Sequence, residues 1–248
     1  MATQLGRALH EQGHDFLQVF SRTEEAAGRL ADALGATPVT SIGQVGSSAD
    51  VYVVALKDSA LPEVIPALCK GREQKVFAHT AGSVPMDAFE GMALHYGVLY
   101  PVQTFSMGRD VDFSEIPCLV EANDDYAAMT IGQLASSVSR DVRPASSEQR
   151  KYVHLAAVFA CNFANHCYDL ASGIVERSGL PFDVLLPLIG ETAAKVRDMP
   201  PAEAQTGPAV RYDENVIREQ SRLLSYSPFV KDLYERMTLS IHGKSLKK

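Results

Sequence analysis

The sequence has no C-x-x-C pair, although it holds four cysteines, at positions 69, 118, 161 and 167. On a helix Cys161 and Cys167 face different directions, so zinc is not expected and no metal site is predicted. Reduced, mostly buried thiols in a cytoplasmic protein are the expectation. An excess of basic charge is also missing. Lys and Arg number 23 against 30 Asp and Glu, for a net charge of −7, which excludes a general nucleic-acid or anionic-membrane binder. No long apolar run is present: "LAAVFACNFANH" is interrupted by Asn162, Asn165 and His166, well short of the ~18 residues of a membrane span. No basic-then-apolar leader opens the chain, so secretion has no support. Repeats and low-complexity runs are missing too, and the terminal "GKSLKK" reads as a solvated end.

What is there is ordinary for a soluble globular protein: 248 residues, 46% hydrophobic and 21% charged. The first half alternates strand and helix patterns. "DFLQVF" (15–20) precedes the helix "TEEAAGRLADALG" (23–35), with Ser21 and Glu24 spaced as a capping box. "ATPV", "VYVVAL" (51–56), "KVFAHT" (75–80), "LHYGVLYP" (94–101) and "PCLVEA" (117–122) follow as strands. "VYVVAL" is apolar on both faces, as a strand between two helical layers is. This alternation predicts an α/β fold with a doubly wound parallel sheet. Strand signals then nearly vanish. "SSEQRKYVHLAAVFACNFANHCYDLASGIVERSG" reads as one long helix, and "PFDVLLPLIGETAAKVRDM" as another with Pro181 in its first turn. "DENVIREQSRLLS" and "SPFVKDLYERMTLSIH" supply the rest. The predicted organisation is an α/β domain over 1–145 and an all-α domain over 146–248.

The start lacks something more specific. Met1–Gly13 reads as a helix, yet no strand stands before it. Dinucleotide-binding domains begin strand, G-x-G-x-x-G/A, helix, with the pyrophosphate on the helix N-terminus. Ala2 stands where the last small residue of that pattern falls. From Ala2 to Ser21 is 21 − 2 = 19 residues, close to the ~20 that separate the fingerprint from the ribose-reading residue. The chain is therefore expected to lack the first strand and both phosphate glycines; an ordinary N-terminal helix of another α/β fold is the alternative. At the end of the second strand, Ser21, Arg22 and Thr23 offer hydroxyls and a guanidinium where an NAD-binding domain carries a carboxylate. That set favours the 2′-phosphate of NADP; the other reading is that Arg22 is merely solvated beside Glu24 and Glu25.

Several stretches together carry a family resemblance: "HEQGHDFLQVFSRT", "VYVVALKDSALPEV", "HTAGSVPMDAF", "HYGVLYPVQTFS", "SSEQRKYVHLAAVFACNFANHCYDLA" and "QTGPAVRYDENVI". They resemble Rossmann-like proteins with the C-terminal domain of unknown function 2520, relatives of pyrroline-5-carboxylate reductase and ketopantoate reductase. The resemblance spans nearly the whole chain. It implies an NADP-binding Rossmann domain, then a helical domain that forms a homodimer. It implies no particular substrate. The departure is at the beginning, where such proteins carry a strand and a glycine loop before "TQLGRAL". In the usual strand order that first strand lies at the centre of the sheet, between the second and fourth. Without it either its neighbours close up or the chain binds cofactor weakly.

Candidate site residues cluster at strand ends. Leu56 and Lys57, after the strand at 51–56, are placed beside ribose and adenine, with a plain loop lysine as the alternative. His79, Thr80 and Gly82 end the next strand, near the nicotinamide expected there, with Ser83 beside the substrate; His79 also fits a satisfied strand-end histidine. Gln103 and Thr104 lie in the loop that faces the nicotinamide in the related dehydrogenases, and Tyr100 is available as a weak acid. On the long helix, His154 and Asn162 lie broadly on one face. His154 takes a position resembling the general-acid lysine of ketopantoate reductase-like enzymes, with Asn162 a substrate ligand; the alternative is hydrogen bonding inside a helical dimer core. Arg211 is placed to clamp a substrate carboxylate, unless it pairs with Asp213. These expectations describe an NADP-dependent oxidoreductase of a small carbonyl- or imine-bearing acid. The alternatives are a catalytically inactive dinucleotide-binding or regulatory protein, and a form that binds no cofactor.

Overall fold

The computed structural model describes residues 1–106 and 108–247. Compactness divides them into two units, Met1–Asn162 and Phe163–Lys248.

The first unit is α/β. Helix α1 (Ala2–Glu11) is followed by β1 (Gln18–Phe20), α2 (Glu24–Leu34) and β2 (Thr37–Val39). Then come β3 (Val51–Val54), α3 (Leu61–Cys69), β4 (Val76–His79), β5 (His95–Pro101), β6 (Cys118–Ala122), α4 (Asp125–Val138), β7 (Val142–Pro144) and α5 (Ser147–Ala157). The cap of α2 is Thr23, whose hydroxyl accepts from the Ala26 amide at 3.4 Å, and not the expected Ser21. Thr23 is the last extended residue before the helix, the position from which a side-chain oxygen reaches the first-turn amides. Gly35, at φ 63°, closes the helix in the left-handed region.

The strands form two sheets. β1 and β2 pair in parallel, and β3-β4-β5-β6-β7 make a separate five-stranded sheet. Between the edges of β1 and β3 lies a cavity of about 900 Å³, whose lining includes Leu5, Leu9, Val19, Leu34, Val51 and Val53. The strands flanking the expected central strand have therefore not closed up. Instead, Gln18 of β1 spans to the loop before β3, donating to the Gln44 carbonyl at 3.2 Å and accepting from the Gly46 amide at 2.7 Å.

Ladders β3–β4, β4–β5 and β6–β7 are parallel. β5 and β6 run antiparallel, with Gly97 opposite Ala122 and Pro101 opposite Cys118. Among the described residues the segment joining them carries one short 3₁₀ turn, Phe113–Glu115, and no crossover helix of the kind that returns a parallel strand. Leu5 and Leu9 of α1 and Ile131, Leu134 and Val138 of α4 pack with Val76, Ala78 and Leu99. Phe77 faces the other way, into a core with Leu61, Ile65 and Leu68 of α3.

The helical run through α5 continues as a π-helical stretch, Val158–Phe163, and then α6 (Ala164–Glu176). The π stretch adds residues to each turn. Residues on either side of it therefore no longer follow one uniform 3.6-residue repeat. The second unit contains α6, α7 (Leu186–Asp198), α8 (Pro201–Ala204), α9 (Pro208–Arg211), α10 (Glu214–Leu223) and α11 (Pro228–Ser245). α7 begins after a 3₁₀ turn at Phe182–Leu185, so Pro181 caps that turn rather than opening the helix. Among the described residues of this unit only Leu224 and Thr238 are buried. No helix of the described residues is long and apolar enough to cross a membrane.

Candidate functional site

The carboxyl ends of β4 and β5 meet the first turns of α5. The capping box of Ser146 and Gln149 fixes where α5 starts, each side chain bonding the other's amide at 3.2 and 2.9 Å. Alternation along β5 sends Val98 and Tyr100 to the opposite face from Leu99. Tyr100 Oη thereby lies 3.0 Å from His154 Nδ1 on α5. Burial raises the Tyr100 phenol above its ordinary pKa; the Arg150 cation opposes this and the Asp58 carboxylate adds to it. The phenol therefore keeps its proton at neutral pH.

Gly82 forms the wall beside this pair. A Cβ there would stand 2.5 Å from His154 Nδ1 and 2.9 Å from Tyr100 Cζ, so only glycine lets the loop backbone approach. Ser83, next in the chain, is exposed and donates its hydroxyl to Asp58 in the turn after β3. Three strand ends thus contribute to one edge, as in open α/β sheets that bind ligands there.

The loop after β4 is held from inside. His79 is fully buried, its Nε2 lies 3.2 Å from the Pro85 carbonyl, and its Nδ1 accepts from the Ala81 amide at 3.2 Å. Burial pushes its pKa down to about 4, so the ring is neutral and serves the turn with both nitrogens. Arg150 is 1% exposed. It donates to the Ala81 carbonyl at 3.2 Å, the Val84 carbonyl at 2.6 Å, the Ser147 hydroxyl at 3.2 Å, and the Glu121 carboxylate. Glu121 on β6 accepts also from the Ser147 amide and hydroxyl, both at 2.7 Å. Burial acts to raise the Glu121 pKa, but Arg150 and Ser147 outweigh it and hold it below the usual carboxylate value. Ser147 Oγ also accepts from the Met86 amide at 3.1 Å.

The other expected residues are placed as follows. Ala2 opens α1 and lines the cavity between the sheets, and α1 has no side-chain cap. Ser21 and Arg22 follow β1, with Arg22 exposed and forming no ion pair among the described residues. Leu56 is half-buried and Lys57 exposed where β3 turns. Thr80 is buried and its amide donates to the Val54 carbonyl at 3.2 Å. Gln103 and Thr104 are exposed; Gln103 Oε1 accepts from the Thr104 amide at 2.9 Å. Asn162 is exposed in the π stretch. Arg211 is exposed in the helical unit and forms no ion pair with Asp213, which caps α10 through the Val216 amide at 3.4 Å. Among the described residues no three His, Cys, Asp or Glu side chains gather as a metal site.

Arg150, Glu121, Ser147 and Asp58 were missed by sequence reasoning. A signal existed: Glu121 is a carboxylate on an otherwise apolar strand, and Arg150 a cation in the first turn of α5, where anions are favoured.

The residues present fit a dinucleotide. The uncapped first turn of α1 leaves amides for a pyrophosphate, and Arg22 leaves its guanidinium fork for a 2′-phosphate. The fold defines a Rossmann-like α/β protein with a helical C-terminal unit. Residues 116–241 match the family model of the domain of unknown function (DUF2520), and residues 1–79 match NADP oxidoreductase coenzyme F420-dependent. A Bacteroides fragilis protein classed as an NADP oxidoreductase is 50% identical, with 98% of this chain and 94% of that one covered and a TM-score of 0.92. The chain therefore belongs to the DUF2520 family of Rossmann-like NADP oxidoreductases. An imine reductase from Myxococcus stipitatus in complex with NADP+ shares the fold at 13% identity (TM-score 0.67, covering 100% and 91%). A pyrroline-5-carboxylate reductase from Coxiella burnetii does so at 16% (TM-score 0.59, covering 99% and 94%). No curated protein matches the chain.

Proposed function

We propose that the protein is an NADPH-dependent reductase of a small carbonyl- or imine-bearing acid, acting in the cytoplasm as a homodimer. The observation that carries this reading is the Tyr100–His154 pair, 3.0 Å apart, beside the backbone of Gly82. NADPH supplies the hydride. The chain's part is to bind, orient and deliver a proton. Arg22, with Ser21 and Thr23, holds the 2′-phosphate, while Ala2 at the start of α1 faces the pyrophosphate. Leu56 and Lys57 flank the ribose. Thr80 and Gly82 line the nicotinamide side. The Tyr100 phenol, protonated at neutral pH, gives its proton to the substrate oxygen or nitrogen and is reprotonated from solvent through the His154 ring, one ring nitrogen giving a proton as the other takes one. Ser83, Gln103, Thr104 and Asn162 offer neutral hydrogen bonds that orient substrate. Arg211 keeps its fork for a carboxylate.

Two further features support the assembly and compartment. A helical unit with only two buried residues among those described leaves Leu188, Phe229 and Leu239 more than half exposed, a surface suited to a second copy. Burial pushes Cys69 and Cys118 up to about 11, which keeps those thiols protonated and inert.

The open cavity between β1 and β3 favours a second reading, in which the 248-residue chain binds cofactor weakly. One experiment separates the two: NADPH and NADH fluorescence titrations, followed by NADPH oxidation against a panel of keto and imino acids. Tight NADPH binding, weaker NADH binding and turnover of one panel member support the reductase. Weak binding of both nucleotides favours the second reading, and tight binding with no turnover on any member favours a binding protein.

A further inference from the structure

Arg150 is a buried cation that the proposed chemistry does not use. Its ion pair with Glu121 is weak ground for stability, since well-packed apolar residues commonly serve as well in such places. What the guanidinium does have is a particular set of partners. Nε and Nη2 take the carbonyls of Ala81 and Val84, the residues on either side of Gly82–Ser83. Its neighbour Ser147 holds the Met86 amide a little further along the same loop. One turn further along α5, at i+4, stands His154, against which Gly82 packs. The loop is thus gripped at two points by one helix turn and pressed against the Tyr100–His154 pair between them. Glu121, itself bonded by Ser147, fixes the guanidinium plane from β6.

We propose that Arg150 is the positioning residue of this site: its fork sets the height of the Ala81–Val84 backbone and thereby the Tyr100–His154 hydrogen bond. The inference rests on the reductase reading only for its kinetic consequence. Lysine keeps the charge but gathers its three donors on one nitrogen in place of a planar fork, so it cannot hold two carbonyls and a carboxylate in the same plane.

The test is Arg150→Lys, read in two ways. The first is ¹⁵N NMR of the His154 ring, which reports whether Nδ1 is engaged. The second is turnover on whichever imino or keto acid the wild type accepts. Arg150→Lys is expected to lose the Nδ1 signature and to lower kcat by about 100-fold, while KM for NADPH stays within about threefold. Arg150→Ala with added guanidinium ion is expected to recover part of both. If Arg150→Lys does not fold, Glu121→Gln carries the same expectation, since it loosens the fork without emptying the space. Wild-type kcat together with an unchanged His154 signal in either folded variant overturns the proposal. A wild type that turns over nothing, with the signature present and then lost in Arg150→Lys, leaves the positioning role standing and removes the reductase reading instead.

Discussion

Tyr100 Oη and His154 Nδ1 face each other at 3.0 Å, one on a strand and one on a helix, 54 positions apart in the chain. A phenol whose pKa burial has raised is a weak acid on its own, and the ring in contact relays a proton back to it from solvent. Tyr100→Phe and His154→Gln are each expected to lower kcat by about 10²–10⁴-fold. The double variant should fall little further, because two residues acting as one unit are not additive. Steady-state kinetics on all three decides it. Losses that multiply in the double variant would show two independent roles.

Gly82→Ala probes the same contact from the other side. Its Cβ meets His154 Nδ1 at 2.5 Å and Tyr100 Cζ at 2.9 Å, and neither neighbour is the free end of a flexible chain. The loop must retreat, at about 1–3 kcal/mol for overpacking, and turnover should drop by roughly 100-fold. Urea unfolding and turnover measured together check this. An alanine variant of wild-type stability and rate would mean that the loop stands further from the pair.

His79 gives a pH dependence of stability rather than of catalysis. Its folded pKa is pushed down to about 4, chiefly by burial, against an ordinary value of 6.5. Between those values the unfolded chain takes up a proton that the folded protein refuses. Stability is therefore full above about pH 6.5, falls as pH drops towards about 4, and then levels for this group, with a limit of about 3 kcal/mol. Unfolding midpoints at about pH 7.5 and about pH 4.5 measure the slope. His79→Gln, which can still accept from Ala81 and donate to Pro85, should flatten it. An equal slope in that variant assigns the effect to other groups.

Much of this fold is legible in the sequence because local signals decide it. The apolar runs of β3, β4 and β5, Ser146 ahead of α5 and Asp213 ahead of α10 all lie where period and cap chemistry point. What escapes depends on contacts distant in sequence. Arg150 looks like any exposed first-turn arginine until Glu121 and the Ala81–Val84 carbonyls surround it. The antiparallel β6 is set by a connection with no crossover helix among its described residues, and those residues carry no period. The π stretch at Val158–Phe163 interrupts the uniform 3.6-residue repeat of the long helix, and no single residue there announces the change.

The cavity of about 900 Å³ carries the last prediction. Its walls are the unpaired edges of β1 and β3, each paired in parallel on its other side, with apolar side chains of α1 and α2 along it. Such a slot matches one extended strand of roughly 5–6 residues, which would sit ~4.8 Å from each neighbour and join the two sheets. Such a strand would also deliver a turn to the N-terminus of α1, where the pyrophosphate is expected. A chain extended ahead of Met1 by an apolar strand and a G-x-G turn should bind NADPH at least about tenfold tighter than the 248 residues alone. It should also slow amide exchange at Val51–Val54, whose free edge becomes a ladder. NADPH fluorescence titration of both chains provides the measurement. Equal micromolar affinity, with unchanged exchange in β3, would mean that the slot is not where the cofactor's grip is built.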